Sequence, residues 1–168
     1  MKKKLVLFLC TGNTCRSPMA AGYFQKLLEK KKIGFIEVKS AGVSTIAGLL
    51  ATPETIQLLE KECVDLRKHK SCQVTEDMIK RAYLILGMSP YHVQSAIRAC
   101  PEAKSKTFLL KEFTKSDRSN SQIQDPMGCT QEVYKSVFNE IRKAINLLAS
   151  MDVIKNVDKY KVLPEDIK

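Results

Sequence analysis

The first apolar cluster, Leu5-Val6-Leu7-Phe8-Leu9, is short and unbroken, as a strand buried on both faces requires, and it stops at Cys10. Beyond it Ala20, Phe24, Leu27 and Leu28 recur at helical spacing, with Ser17 as a good N-cap and Pro18 as a good first helical residue. Ile36-Glu37-Val38-Lys39, ending at Ser40-Ala41-Gly42, predicts a second strand. Thr52-Pro53 opens a helix through Ile56, Leu59 and Glu60, Thr75-Glu76 opens another, and Tyr83 to Met88 predicts a buried strand. Lys106 to Leu110 predicts the fourth strand, and the polar stretch Thr114 to Gln124 a loop. Glu132 to Leu148 places Val133, Val137, Ile141, Ala144, Ile145 and Leu148 on one face of a last long helix. Strands alternating with helices imply an α/β fold with a parallel sheet. Residues 151–168, with Pro164 and many charges, carry no assignable pattern.

At 168 residues the chain has the length of one ordinary domain. Lys2-Lys3-Lys4 precedes an apolar run of five residues, where a signal peptide needs about 7–15, so a cytoplasmic location is expected. No segment approaches the roughly 20 apolar residues of a membrane span. Cys10, Cys15, Cys63, Cys72, Cys100 and Cys129 are irregularly spaced and only two histidines occur, so neither a zinc site nor a secreted disulfide framework is supported. The net charge of +10 suits an anionic partner, but the lysines are scattered or sit in short runs such as Lys30-Lys31-Lys32. With 7% aromatic residues and no Trp, the chain lacks the basic, aromatic-laced surface of a nucleic-acid binder.

The candidate chemistry lies between the first strand and the first helix, in Cys10-Thr11-Gly12-Asn13-Thr14-Cys15-Arg16-Ser17. Cys10 falls at a strand's carboxyl end, where open α/β sheets keep their ligand crevice. The following helix start offers free N–H groups to an anion, Gly12 permits a tight path, and Arg16 adds a planar fork of donors for phosphate oxygens. Only a thiolate attacks well, and N–H dipoles beside an arginine lower a cysteine's pKa, so Cys10 is expected to be a nucleophile with a depressed pKa. A phosphocysteine intermediate, hydrolysed by water, is implied.

C-x5-R-S after the first strand, Ser40-Ala41-Gly42 after the second, and Asp125-Pro126 before the final helix together resemble the low-molecular-weight protein tyrosine phosphatase family, over about residues 4 to 150. The resemblance implies a single three-layer domain, residues 1–150, with a four-stranded parallel sheet flanked by helices on both faces, followed by a 151–168 extension. It places the general acid on Asp125, and loop support on Asn13, Ser17, Ser40 and His69. Lys68 and Lys70 flank His69, which equally fits a solvated segment. In family members with a cysteine at the position of Cys15, that cysteine can form a disulfide with the nucleophile under oxidation; a small side chain packed under the loop is the other reading. No metal or cofactor is implied. The expected partners are a phosphorylated protein and inorganic phosphate, with no nucleic acid or membrane, and a monomer is expected.

Tyrosine-specific members resemble one another in flanking their pocket with aromatic side chains. Here the corresponding positions are Ile46 and Met127-Gly128, and Thr14 stands where those members usually carry an aliphatic residue. The loop thus looks like that of the protein arginine phosphatase branch, because a hydroxyl can meet a guanidinium or an attacking water. Three alternatives stay open: a tyrosine phosphatase with a relaxed pocket, a noncatalytic phosphate-binding module, and a thioredoxin-coupled arsenate reductase. The last needs a further cysteine pair near the third strand, and residues 73–99 contain none.

Overall fold

A computed structural model of the chain describes residues 3–117 and 119–157. Strand β1 (Lys4–Cys10) leads to helix α1 (Arg16–Lys30), β2 (Ile36–Gly42), α2 (Pro53–Glu60), α3 (Glu76–Arg81) and β3 (Ala82–Gly87). Helix α4 (Pro90–Ala99), a 3-10 turn (Pro101–Lys106), β4 (Thr107–Leu109), α5 (Leu110–Thr114), α6 (Gln131–Leu148) and α7 (Asp152–Lys155) follow. The strands pair in parallel in the order β2-β1-β3-β4.

The side-chain alternation of β1 divides the core. Val6, Phe8 and Cys10 join the cluster built from α1, α2, α5, α6 and α7, whereas Leu5, Leu7 and Leu9 join the one built from Ile79, Ala96 and Ala103 on α3, α4 and the 3-10 turn. This yields three layers, with β1 covered on both faces. Because β1 lies between β2 and β3, the connections from its two neighbours leave in opposite directions, and a crevice opens at the carboxyl ends of the strands where Cys10 stands.

Several boundaries differ from the sequence reading. Helix α1 starts at Arg16 with Cys15 in the N-cap position, so Ser17 is inside the helix and caps nothing. Lys106 closes the 3-10 turn and Leu110 opens α5, leaving β4 with three residues. Helix α4 is absent from the hydropathy pattern because its buried residues are only His92 and Ala96, too narrow an apolar stripe to register. In the unassigned end, α7 and Val157 bury Val153, Ile154 and Val157 in the larger core cluster, while 158–168, with Pro164, lie outside the described residues. No helix among the described residues is long and apolar enough to cross a membrane.

Two further contacts position the loops around the crevice. Lys111 is almost fully buried, and its ammonium reaches Asp117 at 3.2 Å, Glu140 at 2.7 Å and the Gln122 carbonyl at 3.2 Å, tying the chain before Asp125 to α6. At the end of β2, a Cβ on Gly42 would stand 2.6 Å from the Thr11 carbonyl oxygen and 2.7 Å from Thr45 Cγ2. Gly42→Ala is therefore expected to displace the 10–16 loop and to destabilise the fold by about 1–3 kcal/mol, the usual cost of overpacking. Thermal unfolding and turnover measured together check this, with turnover falling even well below the unfolding temperature.

Candidate active site

The loop from Cys10 to Arg16 is shaped by where its carbonyls go. Those of Cys10, Thr11 and Thr14 accept from the N–H groups of Val43 (2.9 Å), Ser44 (3.1 Å) and Thr52 (3.0 Å), and that of Cys15 accepts from Met19 N–H (3.0 Å). The Gly12 carbonyl accepts from the Thr45 hydroxyl at 2.8 Å, and the Asn13 carbonyl from His69 Nε2 at 2.7 Å. A carbonyl only accepts, so His69 Nε2 carries a proton. With every carbonyl drawn outward, the intervening N–H groups face the opposite way, into a concave anion cradle. The Asn13 N–H lies 3.2 Å from Cys10 Sγ, which it reaches as donor.

Asn13 makes this path possible. It is fully buried at φ 56°, in the left-handed region that Asn tolerates better than most residues. Its side-chain amide donates to Ser17 Oγ and Ser40 Oγ, both at 2.9 Å, and its carbonyl oxygen accepts from the Cys72 N–H at 3.0 Å. The four residues that the resemblance assigned to loop support thus meet around one backbone turn. Cys72 meets Asn13 through its main-chain N–H, while its thiol donates to the Ser40 carbonyl at 3.4 Å, and a main-chain contact leaves no signature in the sequence.

Cys10 Sγ is buried, 2.9 Å from the Ser17 hydroxyl. Burial pushes the Cys10 thiol above its ordinary pKa, against the opposing pull of the Ser17 hydrogen bonds, the Arg16 charge and the Asn13 N–H. The sequence reading expected the reverse, because composition shows the donors around a thiol but not its desolvation.

Across the crevice, Arg16 Nη1 donates to the Ile123 carbonyl at 3.0 Å and Nη2 to Asp125 Oδ2 at 2.8 Å. The arginine side chain is 5% exposed and the aspartate 49%, so a buried cation is met by a carboxylate at the rim. Arg16 Nε is buried and finds no hydrogen-bond partner among the described residues. Cys10, Thr11, Gly12, Thr14, Cys15, Arg16, Asp125 and Met127 line the resulting cavity of about 160 Å³. That is small beside the about 300–1,000 Å³ of typical small-molecule sites, and suits a phosphoryl group with the first atoms of its leaving group.

Thr14 and Met127 line this cavity, and Ile46 is not among its lining residues. Its side chain is 69% exposed, and its backbone carbonyl accepts from the Ser71 hydroxyl at 2.7 Å. Cys15 lies under the loop with its sulfur 3.5 Å from the Tyr134 hydroxyl and 3.6 Å from Thr52 Oγ1. Burial, with the contact to Cys15, pushes the Tyr134 hydroxyl well above its usual pKa. Neither Tyr134 nor the buried His92 was singled out by sequence reasoning; His92 had one readable sign, its position three residues after Ser89 at a Ser-Pro helix start.

A buried thiol inside an anion cradle, with an arginine fixed beside it and a carboxylate opposite, defines the site of a cysteine-based phosphatase. The family model described as low molecular weight phosphotyrosine protein phosphatase matches residues 5–161, and the chain belongs to that family. A relative from Geobacillus stearothermophilus named protein-arginine-phosphatase is 40% identical over 144 residues, covering 86% of this chain and 93% of its own. A solved low molecular weight protein tyrosine phosphatase from T. tengcongensis is 37% identical with a TM-score of 0.81, covering 88% of this chain and 99% of that one. A structure of a YwlE arginine phosphatase variant with a phosphorylated active-site serine is 29% identical with a TM-score of 0.82, over 98% of this chain and 99% of that one.

The Ser17 hydroxyl favours the charged form of Cys10, so removing it leaves the thiol holding its proton to higher pH. Ser17→Ala is therefore expected to move the acidic limb of the kcat/KM profile, and of iodoacetamide alkylation at Cys10, to higher pH. An unshifted alkylation profile would show that the hydroxyl does not act on the thiolate.

Proposed function

We propose that this protein hydrolyses phosphorylated side chains of proteins through a phosphocysteine intermediate, with phosphoarginine as its substrate. The observation that carries this reading is the small cavity in which the Cys10 thiol, the cradle N–H groups and the Arg16–Asp125 pair converge, with Thr14 in its wall. The Geobacillus relative's name and the phosphorylated serine of the YwlE variant support it.

In this mechanism the phosphoryl oxygens occupy the cradle and take up the guanidinium of Arg16, releasing Asp125 from its ion pair to face the leaving atom. On binding, one proton passes from the Cys10 thiol to the Asp125 carboxylate freed from Arg16; the thiolate then attacks phosphorus in line as the P–N bond breaks, and Asp125 gives that proton to the departing guanidine nitrogen. The same carboxylate then takes a proton from water attacking the phosphocysteine, and phosphate leaves with the thiolate restored. Charge spread over the phosphoryl oxygens at each transition state meets N–H groups already oriented by their outward carbonyls. Thr14 offers a hydroxyl where the guanidinium or the water passes, and Met127 leaves the rim without an aromatic stacking partner for a phenyl ring.

The second reading, a tyrosine phosphatase, is favoured by the name of the T. tengcongensis structure. We also propose that the protein is a cytoplasmic monomer that uses no metal; the irregular spacing of its six cysteines supports the location, since it does not read as a secreted disulfide framework.

Wild type is expected to favour phosphoarginine over phosphotyrosine peptides in kcat/KM, and Thr14→Ile to depress the first activity far more than the second. Asp125→Asn should lower turnover roughly 10²–10⁴-fold, with the larger loss on phosphoarginine, whose leaving group has the higher conjugate-acid pKa. A tenfold preference of wild type for phosphotyrosine would hand the assignment to the second reading.

Oxidation gives a further expected outcome. Peroxide converts the Cys10 thiolate to a sulfenic acid, and the Cys15 thiolate then attacks its sulfur, expelling hydroxide and forming a disulfide that dithiothreitol reduces. Peptide mapping after mild peroxide should recover Cys10 joined to Cys15, and a bond from Cys10 to Cys63, Cys72, Cys100 or Cys129 would rule this pairing out.

A further inference from the structure

His92 sits at the first turn of α4, beneath the nucleophile loop, and takes no part in the mechanism above. Gly87 lets it come so near: a Cβ there would stand 3.1 Å from His92 Cβ and 3.0 Å from Val93 Cγ2. The Ser89 N–H donates to His92 Nδ1 at 3.0 Å, so in the neutral ring the proton is on Nε2. That nitrogen lies 2.9 Å from Thr11 Oγ1 and donates to it. Burial, the largest influence, and the neighbouring Arg16 charge push the His92 pKa down to about 4, with Asp125 opposing, so the ring is neutral at physiological pH.

Thr11 Oγ1 is approached by a second donor, Arg16 Nη2 at 3.5 Å. A hydroxyl oxygen with two donors aimed at its lone pairs must send its own hydrogen elsewhere. Among the described residues it has no other partner, and Thr11 lines the cavity. We propose that His92 is a positioning residue that fixes the Thr11 hydroxyl as a donor into the cavity, adding a side-chain hydrogen bond to a phosphoryl oxygen beside those of the cradle N–H groups and Arg16. Sequence elements 81 residues apart are thereby coupled, and α4 gains a part in binding that its surface position does not announce. The inference rests on the phosphatase reading of the site.

Two substitutions separate the role of His92 at the helix start from its role on Thr11. His92→Asn retains a short acceptor for the Ser89 N–H but falls short of Thr11, whereas His92→Gln can place an amide donor where Nε2–H stands. Wild type, both variants, Thr11→Val and the Thr11→Val/His92→Asn double variant are compared for thermal unfolding, p-nitrophenyl phosphate hydrolysis and competitive inhibition by inorganic phosphate. A hydrogen bond to a charged oxygen corresponds to roughly 10- to 100-fold in affinity. Thr11→Val and His92→Asn are expected each to raise the phosphate inhibition constant by that order, the double variant no further, and His92→Gln to stay close to wild type. An unchanged inhibition constant in His92→Asn, or losses that multiply in the double variant, would overturn the coupling. Wild type that neither hydrolyses the substrate nor binds phosphate would instead overturn the phosphatase reading on which it rests.

Discussion

A peptide loop presents its N–H groups to an anion only if its carbonyls have somewhere else to go, and this requirement governs most of what surrounds the site. The six carbonyls from Cys10 to Cys15 are taken by Val43, Ser44, Thr45, His69, Thr52 and Met19. Asn13 supplies the left-handed turn between them, and a residue held at a sparsely populated backbone angle stays there only when its surroundings over-determine it. Ser17, Ser40 and Cys72 do so through the Asn13 side chain. The segment from Gly42 to Thr52, which looks like a plain connection between β2 and α2, therefore acts as a mould for the loop.

Electrostatics at the nucleophile is a balance of two opposed effects of the same burial. Removing water from around Cys10 disfavours its thiolate, yet it also strengthens each dipole and charge aimed at that position. Of the groups that favour the thiolate, Ser17, Arg16 and the Asn13 N–H, the Arg16 side chain also lines the cavity beside the sulfur.

Much of this was legible in the sequence where the signal was local. Leu5 to Cys10 followed by Gly12, Arg16 and Pro18 specifies strand, loop and helix within a few residues, and the apolar face of α6 is periodic enough to mark itself. What escaped notice depends on distant partners. Ser17 reads as an N-cap from the local pattern, and only the family resemblance put it in loop support; its hydroxyl is engaged by Cys10 and Asn13. Ile46 fell in the pocket wall by counting along a loop, and loops do not keep count: its side chain faces solvent. His92 lies on a helix with too narrow an apolar stripe to announce itself, and its importance comes from a contact with Thr11.

The order of parts along the chain has a consequence for when the site comes into being. All four strands lie before Leu110, but α6, which packs on one face of the sheet, and two partners of the Arg16 guanidinium, Ile123 and Asp125, come after it. The closures joining Arg16 to them span 107 and 109 residues, and closure entropy grows only slowly with such length, so arrival of the later segment sets the timing rather than distance. During synthesis the thiol and its mould emerge first, with one apolar face of the sheet covered by α1 and α2 but still without α6. The arginine is oriented and the acid delivered only when the last long helix docks. A nascent chain thus carries its nucleophile well before it can turn over a substrate, and hydrolytic competence is the last property that folding confers.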